Sequence, residues 1–329
     1  MLPMLEKEYC VAIRTLGTAG EKYQQLLDSI QTQTFSPRKI LVYIPYGYPT
    51  PKETIGIEQI IRCEKGMVAQ RSLPLKEVDT DFILFCDDDM FLPPSLVENM
   101  FKAMEESESD CIVPNCYPLH KMRSITKMLV WLYNSASPRK DDGWAIKVKK
   151  DAGFSYNCYP KKDVLPTQTA SFACFLCRTS AYHAIHFEDE RWLDTFSFAS
   201  YDDQLFFYKL YLGGFKICLY YNSGIIHLDA RVGVRIDNTR RMFFKKKLLV
   251  ILWYRTIYKL NVNSKSDRIQ IVLAFCSRML IGIIPLLGDI LRYRKLNYLI
   301  DYFKGIIDGY KYVHSEEYLQ IPPFDNYIN

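Results

Sequence analysis

Over the first 120 positions, short apolar runs alternate with segments of helical spacing, which predicts a strand–helix–strand–helix order. Tyr9 to Thr15 reads as a buried strand, followed by a turn through Gly17 and Gly20. Tyr23, Leu26, Leu27 and Ile30 then fall at i, i+3, i+4 and i+7, one face of a helix. Lys39 to Pro45 (KILVYIP) predicts a second strand, while Ile57 to Cys63 fits either a strand or a short helix. Asp81 to Cys86 (DFILFC) is the clearest buried strand and runs straight into Asp87, Asp88 and Asp89. Pro93, Pro94 and Ser95 open a helix with Val97, Met100, Phe101 and Met104 on its apolar face. Such an order implies right-handed crossovers and a mostly parallel sheet, an α/β fold.

From Cys116 to about Leu165 the pattern breaks into Pro, Lys, Asp and aromatic residues, either an excursion over an active site or an irregular helical insert. Periodicity resumes with a strand at Ala170 to Cys177, a helix-like stretch from Thr179, and a helix over Tyr201 to Leu212 that stops at Gly213-Gly214. Phe215 to Tyr221 is another strand, and Asn222-Ser223-Gly224 turns the chain into Ile225-Ile226-His227. Beyond it lie two apolar regions, Leu248 to Trp253 and Ile269 to Leu291. The second is interrupted by Arg278 and Asp289, so its uncharged runs fall short of the ~20 residues that cross a bilayer. Amphipathic helices lying in a membrane interface are the expectation; a spanning helix would need Arg278 to find a partner or snorkel.

Composition sharpens this picture at one place. The 329 residues, 49% hydrophobic, suffice for one large or two small domains and exclude a disordered chain. The net charge is +5, yet Arg231 to Lys259 holds nine basic residues (Arg231, Arg235, Arg240, Arg241, Lys245, Lys246, Lys247, Arg255, Lys259) against Asp237 alone. A basic, aromatic segment is therefore attached to a weakly acidic body, which suits an anionic membrane surface. A helical extension with a solvated basic face is the plainer alternative. No recognition motif supports nucleic-acid binding. Ten scattered cysteines, several in apolar runs, point to a reducing compartment, and the lone CxxC (Cys174, Cys177) reads as structural. The first residues show no basic and apolar secretory pattern, so the expected location is cytoplasmic, at the inner face of the cell membrane.

Three adjacent carboxylates at a strand end repel one another unless a cation or donor groups lie among them. Open α/β sheets bind ligands at the carboxyl ends of their strands, so Asp87, Asp88 and Asp89 suggest a divalent metal holding a diphosphate. An acidic loop capping the next helix is the alternative. Asp202 and Asp203, behind the aromatic loop of Trp192, Phe196, Phe198 and Tyr201, fit equally a helix start and a general base.

In order, VAIRTLGTAGEKYQQLLDSIQTQT, KILVYIP, Ala69-Gln70-Arg71, DFILFCDDDMFLPP, SFACFLCR, YDDQLFFYKLYLGGFKI and IIHLDA resemble glycosyltransferase family 2, the GT-A nucleotide-sugar transferases. The resemblance spans about residues 8 to 230 and implies a GT-A domain over 1–230, with a basic and apolar helical region over 231–329. It also implies an inverting transfer from a nucleoside-diphosphate sugar, UDP favoured, to a hydroxyl of a glycan or lipid-linked acceptor in surface-polysaccharide assembly. By position, Asp87 and Asp89 match the DXD carboxylates that hold Mn²⁺ or Mg²⁺ and the diphosphate, and Asp88 reaches toward the ribose. Asp203 matches the base, with Asp202 where the family has Glu. His227 matches a late His of the metal shell, or closes a strand as a lone His. Arg71 and Thr15 match donor-binding positions. Where the family carries an Asp-rich segment after its second strand, this chain has Pro45-Tyr46-Gly47-Tyr48, an aromatic surface suited to stacking on the base. Two rivals remain: a nucleotidyltransferase of similar fold, and a membrane-associated binding protein without catalysis.

Overall fold

The computed structural model describes residues 7–198, 200–229, 238–294 and 296–326. Its strands are β1 (Tyr9–Arg14), β2 (Lys39–Pro45), β3 (Glu58–Cys63), β4 (Phe82–Asp87), β5 (Met90–Phe91), β6 (Cys111–Pro114), β7 (Ala136–Arg139), β8 (Ile146–Val148), β9 (Phe154–Asn157), β10 (Val164–Pro166), β11 (Cys174–Arg178), β12 (Ile217–Tyr220) and β13 (Ile226–His227). The ambiguous stretch near Ile57 is thus a strand, paired parallel to β2 along its whole length.

Eight strands form one sheet in the order β10-β12-β6-β11-β4-β1-β2-β3. Its β4-β1-β2-β3 half is parallel, as the crossover pattern requires. Beyond β4 the sheet is mixed: β11 runs antiparallel to both β4 and β6, and β10 antiparallel to β12. Strands β1, β2 and β4 are buried almost throughout, which is why they read as continuous apolar runs rather than alternating ones. One face of the sheet is covered by α1 (Glu21–Gln31) and α2 (Leu96–Ser107), whose predicted apolar stripes are buried.

The patternless stretch after Cys116 contains α3 (Ser124–Asn134) and a three-stranded sheet ordered β7-β9-β8. It is a folded insert at the edge of the main sheet. Helix α4 (Thr179–Ala184) follows β11, and α5 (Asp202–Leu212) packs Leu205, Phe206 and Phe207 against the sheet's other face.

After residue 237 the chain is helical: α6 (Asn238–Trp253), a π-turn at Tyr254–Tyr258, α7 (Lys259–Asn261), α8 (Lys265–Ile281), α9 (Ile283–Tyr293), α10 (Asn297–Tyr312) and α11 (Glu316–Leu319). The expected domain boundary near residue 230, together with Arg231, Arg235 and Asp237, lies outside the described residues. Leu248 to Trp253 of α6 share one apolar cluster with Phe172, Phe175 and Phe206 of the sheet region, so the two portions have a common core. A buried ion group fastens them. Glu190 accepts from Arg255 Nε and Nη2, both at 2.8 Å, and from Trp192 Nε1 at 2.7 Å, with Lys209 Nζ at 3.1 Å. Helix α10 lies so close to α6 that a Cβ at Gly305 would stand 2.4 Å from the Phe243 carbonyl oxygen.

Candidate functional site

The carboxyl ends of β1 and β4 open onto a cavity of about 480 Å³. Its walls bring together Arg14, Thr15, Arg71, Asp87, Asp88, Asp89 and His227, residues spread over more than 200 positions of sequence. The clustering follows from topology, because parallel neighbours β1 and β4 end side by side, with Arg14 opposite Asp87.

Each acid has a distinct environment. Asp87 is paired with Arg14 and keeps about 30% of its side chain exposed. Burial pushes its carboxyl above the ordinary range, with the Arg14 and Arg71 guanidinium groups opposing. Asp88 turns inward and accepts from the Thr15 hydroxyl. Burial raises its carboxyl to about 6, with that hydrogen bond opposing. Thr15 is itself fixed by donation from its backbone N–H to the Tyr43 carbonyl at 3.2 Å.

Asp89 Oδ1 lies 3.3 Å from His227 Nε2. Hydrogen bonding to Asp89 is the main cause that raises the imidazole above its ordinary value. The approach is built by a two-stranded ladder in which His227 pairs with Met90, and the Leu228 N–H donates to the Asp89 carbonyl at 2.7 Å. Lys22 Nζ donates to the Leu228 carbonyl at 2.6 Å and holds the strap in place.

A second cavity of about 500 Å³ lies against the first and is lined by Tyr117, Thr169, Ser171, Tyr201, Asp202 and Asp203 among others. Asp202 and Asp203 open α5, and the residue before them, Tyr201, has φ 73°. A bulky residue in the left-handed region is strained, and here it sets the direction from which both acids enter the cavity. Arg71 joins the cavities: it pairs with Asp202, its Nη1 lies 3.0 Å from Asp203 Oδ1, and its guanidinium stacks 4.6 Å from the Phe172 ring centre. Burial lowers the Arg71 guanidinium to about 10, with Asp203 opposing the shift.

Three contributors carried no sequence signal. Asp194 accepts from the N–H groups of Val68 and Ala69, both at 2.9 Å, and so fixes the turn that carries Arg71. Gly66 makes room for it, since a Cβ there would stand 2.4 Å from Asp194 Oδ2. Phe172 lies beneath both Arg14 and Arg71 as a shared aromatic platform. Tyr48, from the aromatic segment after β2, accepts from Lys65 at the mouth of the first cavity, while Tyr46 is 67% exposed.

The first cavity is lined by Arg14, Lys65 and Arg71 against Asp87, Asp88, Asp89 and Asp229. A diphosphate entering this acidic set needs a further cation. Among the described residues no three His, Cys, Asp or Glu side chains form a metal-binding group. Asp89 and His227 supply oxygen and nitrogen donors, and Mg²⁺-like ions commonly take one or two protein ligands with substrate phosphates and water completing the shell. The residues therefore fit a cation held jointly with a diphosphate.

Residues 56–154 match the sequence model of the family described as glycosyl transferase family 2. The uncharacterised glycosyltransferase YwdF of Bacillus subtilis (strain 168) is 34% identical over 94 residues, 26% of this chain and 34% of that protein. The chain thus spans about a third of the length of that curated relative. The crystal structure of S. aureus TarS 1-349 superposes with a TM-score of 0.50 at 15% identity, covering 92% of this chain and 80% of that one. The structure of the same protein in complex with UDP-GlcNAc gives 0.52 at 15% identity over the same shares. At such identity the likeness is one of fold, a mixed α/β sheet of GT-A type.

Proposed function

We propose that this chain, which carries a glycosyltransferase family 2 domain on a GT-A fold, moves a sugar from a nucleoside-diphosphate donor to an acceptor hydroxyl with inversion. The observation that carries the reading is the junction at Arg71, where a cation-lined cavity with acids at strand ends meets a second cavity presenting Asp203.

In this reading the first cavity takes the donor. Arg14 and Arg71 face its diphosphate, Thr15 and Asp88 line the sugar–nucleotide side, and Tyr46 and Tyr48 offer rings to the base. The complex of TarS with UDP-GlcNAc supports a uridine nucleotide as the first donor to test. Asp89 and His227, with the partly exposed Asp87, are the residues that would hold Mn²⁺ or Mg²⁺, and such an ion would offset charge developing on the leaving diphosphate. Asp203 removes the proton from the acceptor hydroxyl, which attacks the anomeric carbon from the second cavity as the nucleoside diphosphate departs on the opposite side. Asp202, buried and paired with Arg71, holds that arginine between the two reacting partners.

The acceptor is a glycan or lipid-linked hydroxyl compound, and the enzyme works on the inner face of the cell membrane. Lys265–Arg292 holds an 18-residue stretch of mean hydropathy 2.1 and is long and apolar enough to cross a membrane. Yet Ile271 and Phe275 are buried, and Arg278 Nη1 donates to the Asp151 carbonyl at 2.6 Å. A helix tied along one side to the catalytic body lies more readily in the membrane plane than across it. Arg240 and Arg241 near the start of α6, both exposed, supply attraction to anionic head groups.

The test is release of nucleoside diphosphate from a panel of nucleotide sugars with Mn²⁺, in native protein and in Asp203→Asn. General-base assistance is worth roughly 10²–10⁴-fold, so the variant should lose transfer while retaining donor affinity. Undiminished turnover in Asp203→Asn removes the base assignment, and no release from any donor favours a binding protein. Nucleotidyl transfer would instead release pyrophosphate.

A further inference from the structure

The turn joining β8 to β9 (149–153) is gripped by three separate elements. Lys150, Asp151 and Ala152 present successive carbonyl oxygens, which accept from Trp253 Nε1 of α6 at 3.1 Å, Arg278 Nη1 of α8 at 2.6 Å and Gln204 Nε2 of α5 at 2.9 Å. The turn is stiff as well as held. The Lys149 N–H donates to the Gly153 carbonyl at 2.8 Å, and the Ala152 N–H to the Lys149 carbonyl at 2.9 Å. Ala152 stands at φ 58°, in the left-handed region, and a Cβ at Gly153 would meet the Ser135 carbonyl oxygen at 2.9 Å. A displacement at one of the three carbonyls is therefore passed to the other two rather than absorbed in the loop.

Two of these grips belong to one packed layer. Ile271, Phe275 and Arg278 fall at i, i+4 and i+7 on the buried side of α8, and Phe275 stacks on Trp253 with ring centres 4.2 Å apart. The third leads to the reacting acids: Gln204 is buried, directly follows Asp203 on α5 and lines the second cavity beside it. Arg278 is the informative member. Among the described residues no carboxylate pairs with it, and the Asp151 carboxylate is occupied by the Gly153 N–H at 2.9 Å and Lys149 Nζ at 3.2 Å. Burying an unpaired guanidinium to hold one carbonyl is costly, and a neutral amide would hold it equally well. The charge has a second object. Arg278, Tyr201 and Gln204 line one cavity of about 520 Å³. Burial raises the Tyr201 hydroxyl above its ordinary value, and the Arg278 charge opposes that shift. Tyr201 is the left-handed residue from which Asp202 and Asp203 take their direction.

We infer that Arg278 is a positioning residue for transfer: through the 149–153 turn and Gln204 on one side, and Tyr201 on the other, it sets where Asp203 stands against the acceptor. The inference rests on the transferase reading for the chemistry of Asp203, while the link from α8 to α5 stands on the hydrogen bonds themselves. Neither Arg278 nor the turn lines the cavity of Arg14, Asp87 and Asp89. Breaking the link should therefore appear in kcat and leave donor affinity in place. The role belongs to the charged, forked side chain, since a guanidinium holds the Asp151 carbonyl and keeps its charge toward Tyr201 at once.

The experiment uses the full chain and compares native protein with Arg278→Met, Arg278→Lys, Gln204→Met and Arg278→Met combined with Gln204→Met. The measurements are kcat and KM for release of nucleoside diphosphate from the nucleotide sugar that the donor panel identifies, UDP affinity by calorimetry, and hydrogen exchange along α5. Arg278→Met should lower kcat about tenfold to a hundredfold, with KM and UDP affinity within about twofold of native. Arg278→Lys keeps the charge and should recover most of that loss. The double variant should fall little further than Arg278→Met alone, because both residues act through one link. Amides in the first turns of α5 should exchange faster in Arg278→Met while those of β1 and β4 keep their native rates, a split that general loosening of the fold does not give. Where Arg278→Met fails to fold, Gln204→Met carries the same kcat and exchange tests. Native kcat in both single variants, additive losses in the double one, or unchanged exchange over α5 would each overturn the assignment. Absence of turnover from native protein on every donor would instead remove the transferase reading, and the exchange measurement would then decide by itself whether Arg278 holds α5 in place.

Discussion

At the scale of single residues, Arg71 has the greatest reach. Its guanidinium is buried, stacks on Phe172 and lies 3.0 Å from Asp203, so its placement decides how both cavities are charged. That placement depends on Asp194, which accepts the two N–H groups of the turn ahead of Arg71. Asp194→Ala leaves two donors without partners, a loss of about 1–3 kcal/mol. We expect a lowered unfolding midpoint together with reduced transfer, checked by thermal denaturation and initial rates. Asp194→Asn keeps one acceptor oxygen and should recover part of both. Asp89→Ala removes the carboxylate facing His227 and should weaken metal-dependent nucleotide binding, with metal-free binding altered less; calorimetry with and without Mn²⁺ distinguishes the two. Both Asp89 and Arg71 were visible as chemistry in the chain. Asp194 was not, because a carboxylate that caps a distant turn looks in sequence like any surface acid.

Among elements, the short ladder between β5 and β13 does more for the site than its size suggests. Two paired residues bring His227 beside Asp89 across some 138 positions, a proximity that no spacing rule encodes. The start of α5 is similar: the helical pattern was legible, but the left-handed Tyr201 that turns Asp202 and Asp203 inward was not. The helix π-turn at Tyr254–Tyr258 carries Arg255 onto Glu190, where Lys209 and Trp192 complete the group. Glu190→Gln leaves Arg255 and Lys209 in the interior without their shared countercharge. Removing one member of a buried ion group costs about 3–5 kcal/mol, so the variant should melt well below the native protein, and loosened α6 should become sensitive to limited proteolysis.

For the molecule as a whole, many of the exposed large apolar side chains lie on α8, α9 and α10. The cavity lined by Arg14, Asp87 and Asp89 lies at the carboxyl edge of the sheet, while Ile284, Leu287, Leu291, Ile300 and Phe303 are exposed on α9 and α10. Leu287→Asp with Leu291→Asp should reduce sedimentation with anionic vesicles while leaving nucleotide binding intact, since both side chains are exposed on α9 and neither lines the cavity of Arg14, Asp87 and Asp89. The Lys246 ammonium adds a pH dependence. Its folded value, near 7, lies below its unfolded one, so between them the unfolded chain holds more protons and stability rises with pH. The midpoint of unfolding should climb from pH 7 toward 9 in native protein and climb less in Lys246→Met, with Lys245, Arg278 and Tyr302 unchanged around it.

The chain by itself determined the alternation of buried strands and amphipathic helices, the carboxylates at the end of β4, the acids opening α5 and the basic helical region. These are local properties, set by periodicity and by which residue types cluster in one short stretch. The antiparallel strands β11 and β10 in the sheet, the folded insert after Cys116 and the meeting of Arg71 with Asp203 were decided only in three dimensions. The reason is physical: a site is a coincidence of side chains from separate elements, and the packing that brings them together depends on contacts whose partners lie far apart in the sequence.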